Sequence, residues 1–331
     1  HHAENWWFFP HWRKEYDTSD PRYSGLYGEP HDQEKGIPML SPQHSHPEWL
    51  LQSRPSKKFM ETWQAKILEV IDKYDPDMLW FDFGLRFLPD KPKAEFLAYY
   101  YNKAIERGKE VVVTYKDYDL APGSGVVDLE LGRMDRLTYY EWITDTTVDD
   151  GQGWGYLKDT PYKTTTQLVH YLIDNVSKNG HLLLNVGPKP DGTIPDEAKE
   201  LLSGMGKWLA VNGEAIYGTT NWITHGEGPA QIQKAGAFNE NEKPAYSRKD
   251  IRFTLKGDAL YAIVMGWPGE YAVIETLRCL YPNEIKSVKM LGVDQELEWR
   301  LTDNAMIIKV PDKKPCDHAY VFKIVRAQPY A

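Results

Sequence analysis

The chain has 331 residues, 41% of them hydrophobic and 26% charged, with a formal net charge of −9; this is the balance of a globular protein with room for a sizeable core and two domains. The negative charge excludes the basic footprint of a nucleic-acid-binding surface, and no run of about 18 apolar residues is present to span a membrane. Aromatics reach 13%, with 12 Trp and 21 Tyr; such rings fill cores, and they also line sugar sites, where the apolar face of a sugar stacks on them.

Residues 1–55 are irregular and rich in Pro, His and Trp, and a loop of that length is usually functional or packed on a neighbour. The opening stretch "HHAENWWFFPHW" carries no initiator Met and no signal peptide, and it is dense in aromatics where a domain edge is ordinarily polar. The expectation is a piece of a longer protein, with any targeting signal upstream. "SKKFMETWQAKILEVIDKY" then reads as an amphipathic helix, with Phe59, Trp63, Ile67, Val70, Ile71 and Tyr74 at helical spacing.

A buried strand follows over 78–83, "MLWFDF", and a helix over 92–107 that Gly108 closes. "EVVVTY" (110–115) and "GVVDLEL" (125–131) read as further strands, and "TYYEWIT" as a fourth strand or an extended loop. "YKTTTQLVHYLIDNVSKNG" is a helix with Thr candidates for its cap. "HLLLNVGP" (181–188) is a strand, and "IPDEAKELLSGMGKWLAVNG" is a helix with Pro195 near its start and Gly213 at its end. Strands apolar almost throughout, alternating with helices, predict a parallel sheet covered by helices. Four or five such strands make half of an eight-stranded β/α barrel or a small open sheet.

After about residue 222 the period changes to two. "DIRFTLKGDALYAIVMGW", "YAVIETL", "IKSVKMLG", "LEWRLTDNAMIIKV" and "HAYVFKIV", broken by "KGD" and "TDN", predict an antiparallel β-sandwich. The division is therefore a β/α domain over 1–222 and an all-β domain over 223–331.

Catalytic groups of a β/α barrel sit at the C-terminal ends of its strands. Asp82 ends the strand 78–83 and Glu130 ends the strand 125–131, near Trp80, Tyr115, Trp142 and Trp154. An isolated acid at such a place caps the next helix or pairs with a lysine. Two acids on nearby strand ends also fit retaining glycoside hydrolysis, in which one carboxylate attacks the anomeric carbon and the other acts as acid and then base, about 5–5.5 Å away.

Four stretches resemble the retaining α-L-fucosidases, a glycoside hydrolase family: "YDPDMLWFDFG", "YYYNKAIERGKEVVVTYKD", "DNVSKNGHLLLNVGPKPDGTIPDEAKELLSGMGKWLAVNGEAIYGTTNW" and, more weakly, "VVDLELGRMDRLTYYEWITDTTVDDGQGWGY". The resemblance covers about residues 1–222, and the sandwich afterwards also fits. It implies hydrolysis of terminal α-L-fucosyl linkages on glycans by double displacement, with no cofactor and no metal. It makes Asp82 the nucleophile, as the acid of the family's W-x-D strand end, with Trp80 beside it. It puts Glu130 in the acid/base role, with Glu141 of "YYEW" as rival, and makes Trp80 and Trp142 substrate-binding rings. Trp154 of "GWGY" matches the aromatic that packs on the fucose methyl. Lys116 falls where many members carry an Arg that contacts the sugar or the nucleophile.

The same resemblance implies a secreted, periplasmic or lysosomal protein and admits a homo-oligomer. The family's barrel begins upstream with a paired-His motif, "HHDGF". "HHAENWW" is not that motif and resembles the segment after the fourth barrel strand. The expectation is thus a partial (β/α)8-type barrel, its C-terminal half, with residues 1–12 near Asp82, followed by an antiparallel β-sandwich. Two rival readings stay open: a non-catalytic sugar-binding fragment, or a glycosidase of another sugar specificity.

Other features read plainly. His11, His31, His44 and His46 lack ligand spacing and read as loop histidines. Asn175-Val-Ser177 is a formal glycosylation sequon inside a predicted helix. Cys279 and Cys316 either pair or stay free.

Overall fold

The structure, a computed structural model, describes residues 17, 20–23, 57–82, 84–116, 118–150 and 153–327. The placement expected for residues 1–12 beside Asp82, and the loop histidines His11, His31, His44 and His46, lie outside the described residues. The chain divides into two compact units, His1–Asp128 and Leu129–Ala331.

In the first unit, helix α1 (Lys57–Tyr74) and helix α2 (Asp90–Glu106) cover strands β1 (Met78–Trp80), β2 (Val112–Tyr115) and β3 (Val126–Asp128). The strands pair in parallel and in chain order, Trp80 against Thr114 and Tyr115 against Val127. The stripe that α1 buries is narrower than its sequence suggests. Trp63, Ile67 and Ile71 are buried at four-residue spacing, whereas Val70 and Tyr74 are exposed. Trp63, Phe81 and Phe96 form an aromatic cluster, with Phe81 5.1 Å and Trp63 5.5 Å from the Phe96 ring centroid. All three are fully buried or nearly so, and aromatic rings of this size dominate the burial energy of such a layer.

The second unit continues the alternation with β4 (Trp142–Thr147), α3 (Thr165–Ser177), β5 (Gly180–Asn185) and α4 (Asp196–Asn212). β4 and β5 are parallel, from Trp142 against Gly180 to Thr147 against Asn185. Thr164 caps α3: its hydroxyl accepts the Gln167 N–H, and the Gln167 side chain accepts the Thr164 N–H, a complete capping box. Thereafter the chain is antiparallel. One sheet runs β10 (Ile285–Met290), β13 (Tyr320–Arg326), β8 (Ala259–Val264), β7 (Ile251–Lys256), β6 (Gly226–Glu227), and the other runs β11 (Trp299–Leu301), β12 (Met306–Lys309), β9 (Tyr271–Ile274). The fold class is a partial β/α barrel of parallel strands followed by a β-sandwich.

Period-two alternation predicts one wet face per strand, yet all six residues of β8 are buried. Leu260, Ala262 and Val264 join the sandwich core. Ala259, Tyr261 and Ile263 pack with Leu168, Val169 and Ile173 of α3 and with Leu201 and Trp208 of α4. The five-stranded sheet is thus apolar on both sides.

Asp174 of α3, fully buried, joins this layer by ion pairs. It meets Lys178 one turn on at 2.7 Å and the Arg252 Nε of β7 at 2.7 Å. Burial pushes the Asp174 carboxyl up, but the two cations outweigh it and hold the group well below the usual carboxylate range. Asn175 beside it is fully buried, so the sequon offers no surface for a glycan. Cys279 and Cys316 are both free thiols. Among the described residues, no helix is long and apolar enough to cross a membrane, and no group of three or more His, Cys, Asp or Glu is arranged to hold a metal.

Candidate active site

Phe81 and Asp82 are neighbours beyond the end of β1, and successive residues of an extended chain point to opposite faces. The Phe81 N–H still donates to the Thr114 carbonyl at 3.0 Å, so the ladder holds the chain extended at this point. The Phe81 ring is fully buried among Trp63 of α1 and Phe96 of α2. Alternation therefore turns the Asp82 carboxylate, and the half-buried Trp80, to the face away from the helices. Gly84 then adopts φ +110°, open to glycine and strained for other residues, and carries the chain away from the strand end. Its N–H donates to the Asp119 carboxylate at 3.2 Å.

The next strand supplies Lys116, one residue past β2. Its Nζ lies 3.6 Å from the Asp82 carboxylate and 3.2 Å from the Asp128 carboxylate. Lys116 and Asp128 are almost wholly buried, and Asp82 keeps about a quarter of its side chain exposed. One ammonium past the end of β2 thus ties two acids at the ends of the strands on either side of it, β1 and β3, and the more open acid is Asp82. Asp128 was missed by sequence reasoning. The signal was present, an acid inside the apolar run "VVDLEL", but it was read as a strand interior.

β3 ends at Asp128 and not at residue 131, so Glu130 stands two residues beyond the assigned strand. The backbone nevertheless stays anchored. The Leu129 N–H donates to the Ile143 carbonyl and the Leu131 N–H to the Asp145 carbonyl, both at 2.9 Å. Leu131 takes φ +46° and ends this extended run. The Glu130 carbonyl accepts the N–H of Phe238 at 2.8 Å, so a segment leading into the sandwich braces the acid. The Glu130 carboxylate accepts the Trp154 indole N–H at 3.2 Å. The Trp154 carbonyl in turn accepts the Asn185 amide at 2.9 Å, at the C-terminal end of β5.

The other aromatic and the rival acid lie elsewhere. Trp142 is fully buried, and its indole N–H donates to the Lys178 carbonyl at 3.1 Å. A Cβ on Gly180 would come within 2.4 Å of its ring, so Trp142 is a packing residue under the start of β5. Glu141 precedes the N-terminal end of β4, with 59% of its side chain exposed and 3.7 Å from His181 Nε2. Across the six residues of β4, Glu141 and the Trp154 loop belong to opposite ends of the strand pair, on the order of 20 Å apart. Within the second unit Glu130 and Trp154 are therefore brought together, and Glu141 is not with them.

Comparison with known proteins follows the change from parallel to antiparallel strands. The family model described as alpha-L-fucosidase matches residues 11–214, and the one described as alpha-L-fucosidase C-terminal domain matches residues 245–325. The chain is similar to human plasma alpha-L-fucosidase, 32% identical over 76% of this chain and 52% of the relative. It is also similar to bovine (Bos taurus) tissue alpha-L-fucosidase, 29% identical over 78% of this chain and 53% of the relative. A solved Thermotoga maritima alpha-fucosidase in complex with fucose is 32% identical, with a TM-score of 0.63, covering 82% of this chain and 57% of that one. The chain spans about half the length of the curated relatives it matches.

Proposed function

Because this chain belongs to the α-L-fucosidase family, we propose that it removes terminal α-L-fucose from glycans as a retaining exo-glycosidase, without cofactor or metal. Asp82 is the nucleophile: its carboxylate attacks the anomeric carbon and forms a glycosyl-enzyme ester. Lys116 holds that carboxylate in place from one side. Glu130 is the acid/base: it donates a proton to the departing glycosidic oxygen and then takes one from the water that cleaves the ester. Trp154 orients Glu130 through its indole N–H and offers its ring to the fucose methyl. Trp80, on the same face as Asp82, lines the sugar. Trp142, at the N-terminal end of β4, packs under the start of β5, and Glu141 has no catalytic part. The catalytic domain is assigned to residues 1–222 and the sandwich to 223–331.

The observation that carries this reading is that the two proposed catalytic acids have different partners, the Lys116 ammonium near Asp82 and the Trp154 indole N–H on Glu130. A pair of acids with distinct surroundings is the arrangement that separates a nucleophile from an acid/base. The test is hydrolysis of 4-nitrophenyl α-L-fucoside against a panel of other 4-nitrophenyl glycosides, with NMR identification of the first-formed anomer. Preference for the fucoside and release of α-L-fucose first are expected. β-L-Fucose as first product would overturn retention. Preference for another sugar would overturn the specificity, and L-fucose binding without turnover would replace the enzyme by a sugar-binding protein.

A further inference from the structure

Arg133 follows the turn that closes the Glu130 segment, and it is only 7% exposed. Its backbone N–H donates to the Gly236 carbonyl, and its carbonyl accepts the Gly236 N–H. The guanidinium lies over the ring of Tyr171 in α3, its central carbon 4.0 Å from the ring centroid. None of the ion pairs among the described residues includes Arg133, and its Nε–H finds no acceptor. The Tyr171 hydroxyl beside it donates to the Gly132 carbonyl at 2.7 Å and offers its oxygen to the Arg133 side chain. A nearly buried cation without a counter-ion is an arrangement that proteins avoid, because desolvation is then uncompensated.

The same side chain borders a cavity of about 60 Å³, several times the 10–15 Å³ that one water needs. Lys163, Lys243, Gln167 and Glu240 also line it. The nearby acids are already engaged. Glu240 pairs with Lys163 at 3.2 Å, and Asp150 pairs with Lys243 at 2.5 Å. Lys163 is saturated further by the Thr147 and Asp149 carbonyls at 2.6 and 2.7 Å. Arg133 is thus the lining cation with no carboxylate partner among the described residues. A guanidinium carries its N–H groups in a planar fork that matches two oxygens. Gln167, whose amide oxygen is taken by the Thr164 N–H, keeps its amide NH2 as a further donor.

We propose that this cavity between α3 and the segment carrying Glu240 and Lys243 is a binding site for a tetrahedral oxyanion, a sulfate or phosphate group, either free or carried as an ester on a carbohydrate. The lining of this cavity includes none of Asp82, Glu130 and Trp154, the residues of the proposed reaction centre. The site does not rest on the fucosidase reading.

The test is thermal unfolding of the full chain in sodium sulfate, sodium phosphate and sodium chloride at matched ionic strength, for the wild type and Arg133→Met. Sulfate and phosphate are expected to raise the wild-type Tm saturably, by about 5 °C at roughly 100 times Kd, with no comparable rise in chloride or in Arg133→Met. Equal rises in both proteins, or an equal rise in chloride, would overturn the site. Crystals of the wild type soaked in selenate give a readout that needs no variant: an anomalous peak within hydrogen-bond distance of the guanidinium supports the site, and its absence there overturns it. Glucose 6-sulfate, compared with glucose and with inorganic sulfate, separates the sources. A larger shift than sulfate assigns the ligand to an ester on a glycan, and a smaller one assigns it to the free ion.

Discussion

Trp154 donates its indole N–H to the Glu130 carboxylate. A hydrogen bond to an ionised group contributes about 1.5–3 kcal/mol, and under the proposed acid/base role this one would fix the direction in which the carboxyl hands over its proton. Trp154→Phe keeps a ring for the sugar and removes the donor. Turnover of a fucosyl disaccharide is expected to fall roughly 10- to 100-fold, matching that energy, and hydrolysis of the 4-nitrophenyl fucoside should fall less, because its leaving group needs little proton help. Equal losses on both substrates would remove the orienting role from the N–H.

Asp82 stands on a strand end that Phe81 anchors between two helices and that Lys116 flanks. Asp82→Ala is expected to lose orders of magnitude in turnover of the activated fucoside. Azide should restore part of it by occupying the vacated space and attacking the anomeric carbon from the same side. Near wild-type activity in the variant, measured by nitrophenolate release, would end the nucleophile assignment.

Glu130 and Glu141 separate by leaving group. Glu130→Ala should mainly slow deglycosylation of the 4-nitrophenyl fucoside, seen as a burst in pre-steady-state kinetics, and should slow both steps on a natural glycan. Glu141, exposed at the far end of β4, should tolerate alanine with little change. If Glu141→Ala produces the burst and Glu130→Ala does not, the roles are exchanged.

Residues that act through their own strand were legible in the sequence. An apolar run ending in an acid, with Phe81 and Asp82 on opposite faces, needs only the period of an extended chain. The ends of β1 and β3 were read too long, because the apolar run, with single backbone bonds from Phe81 and Leu129, continues past the last residues of the regular strands. Trp142 looked like a sugar-binding ring because nothing in "YYEW" distinguishes a buried indole from an exposed one; the absent Cβ of Gly180, 38 residues later, makes the room for it. Lys116 to Asp128, and Asp174 to Arg252, are pairings across elements. An i,i+4 spacing announces Asp174 and Lys178, but no local signal announces an arginine that reaches them from β7.

That arginine makes Asp174 the hinge of a stability prediction. Asp174→Asn leaves Lys178 and Arg252 buried without an anion. Removing one partner of such a pair costs about 3–5 kcal/mol, so the melting temperature of the second unit's transition is expected to drop by on the order of 10 °C. Calorimetry checks it, and a change within about 2 °C would show that the cations are compensated in some other way.

His225 faces the same cations from the loop before β6. It lines a cavity of about 140 Å³ together with Lys178, Arg252, Asp135 and Glu227. Burial, then the charges of Lys178 and Arg252, push its imidazole down to about 4, against the opposing pull of Asp174 and Asp135. An unfolded chain protonates the same group near pH 6.5. Between those two values the unfolded state binds a proton that the native state refuses, so stability falls as pH drops from about 6.5 towards 4. Above 6.5 the contribution is complete, and below 4 both states are protonated and this source of pH dependence ends. His170, lowered chiefly by burial, adds to the slope in the same direction. His225→Gln stays neutral throughout and should flatten the curve of Tm against pH, gaining on the wild type as pH is lowered from 7.5 to 4.5. Asp174, held well below the carboxylate range, stays ionised in the native state over that interval and is common to both proteins, so the difference between the two curves isolates the imidazole. Parallel curves would mean that His225 is protonated as readily in the folded chain as in the unfolded one.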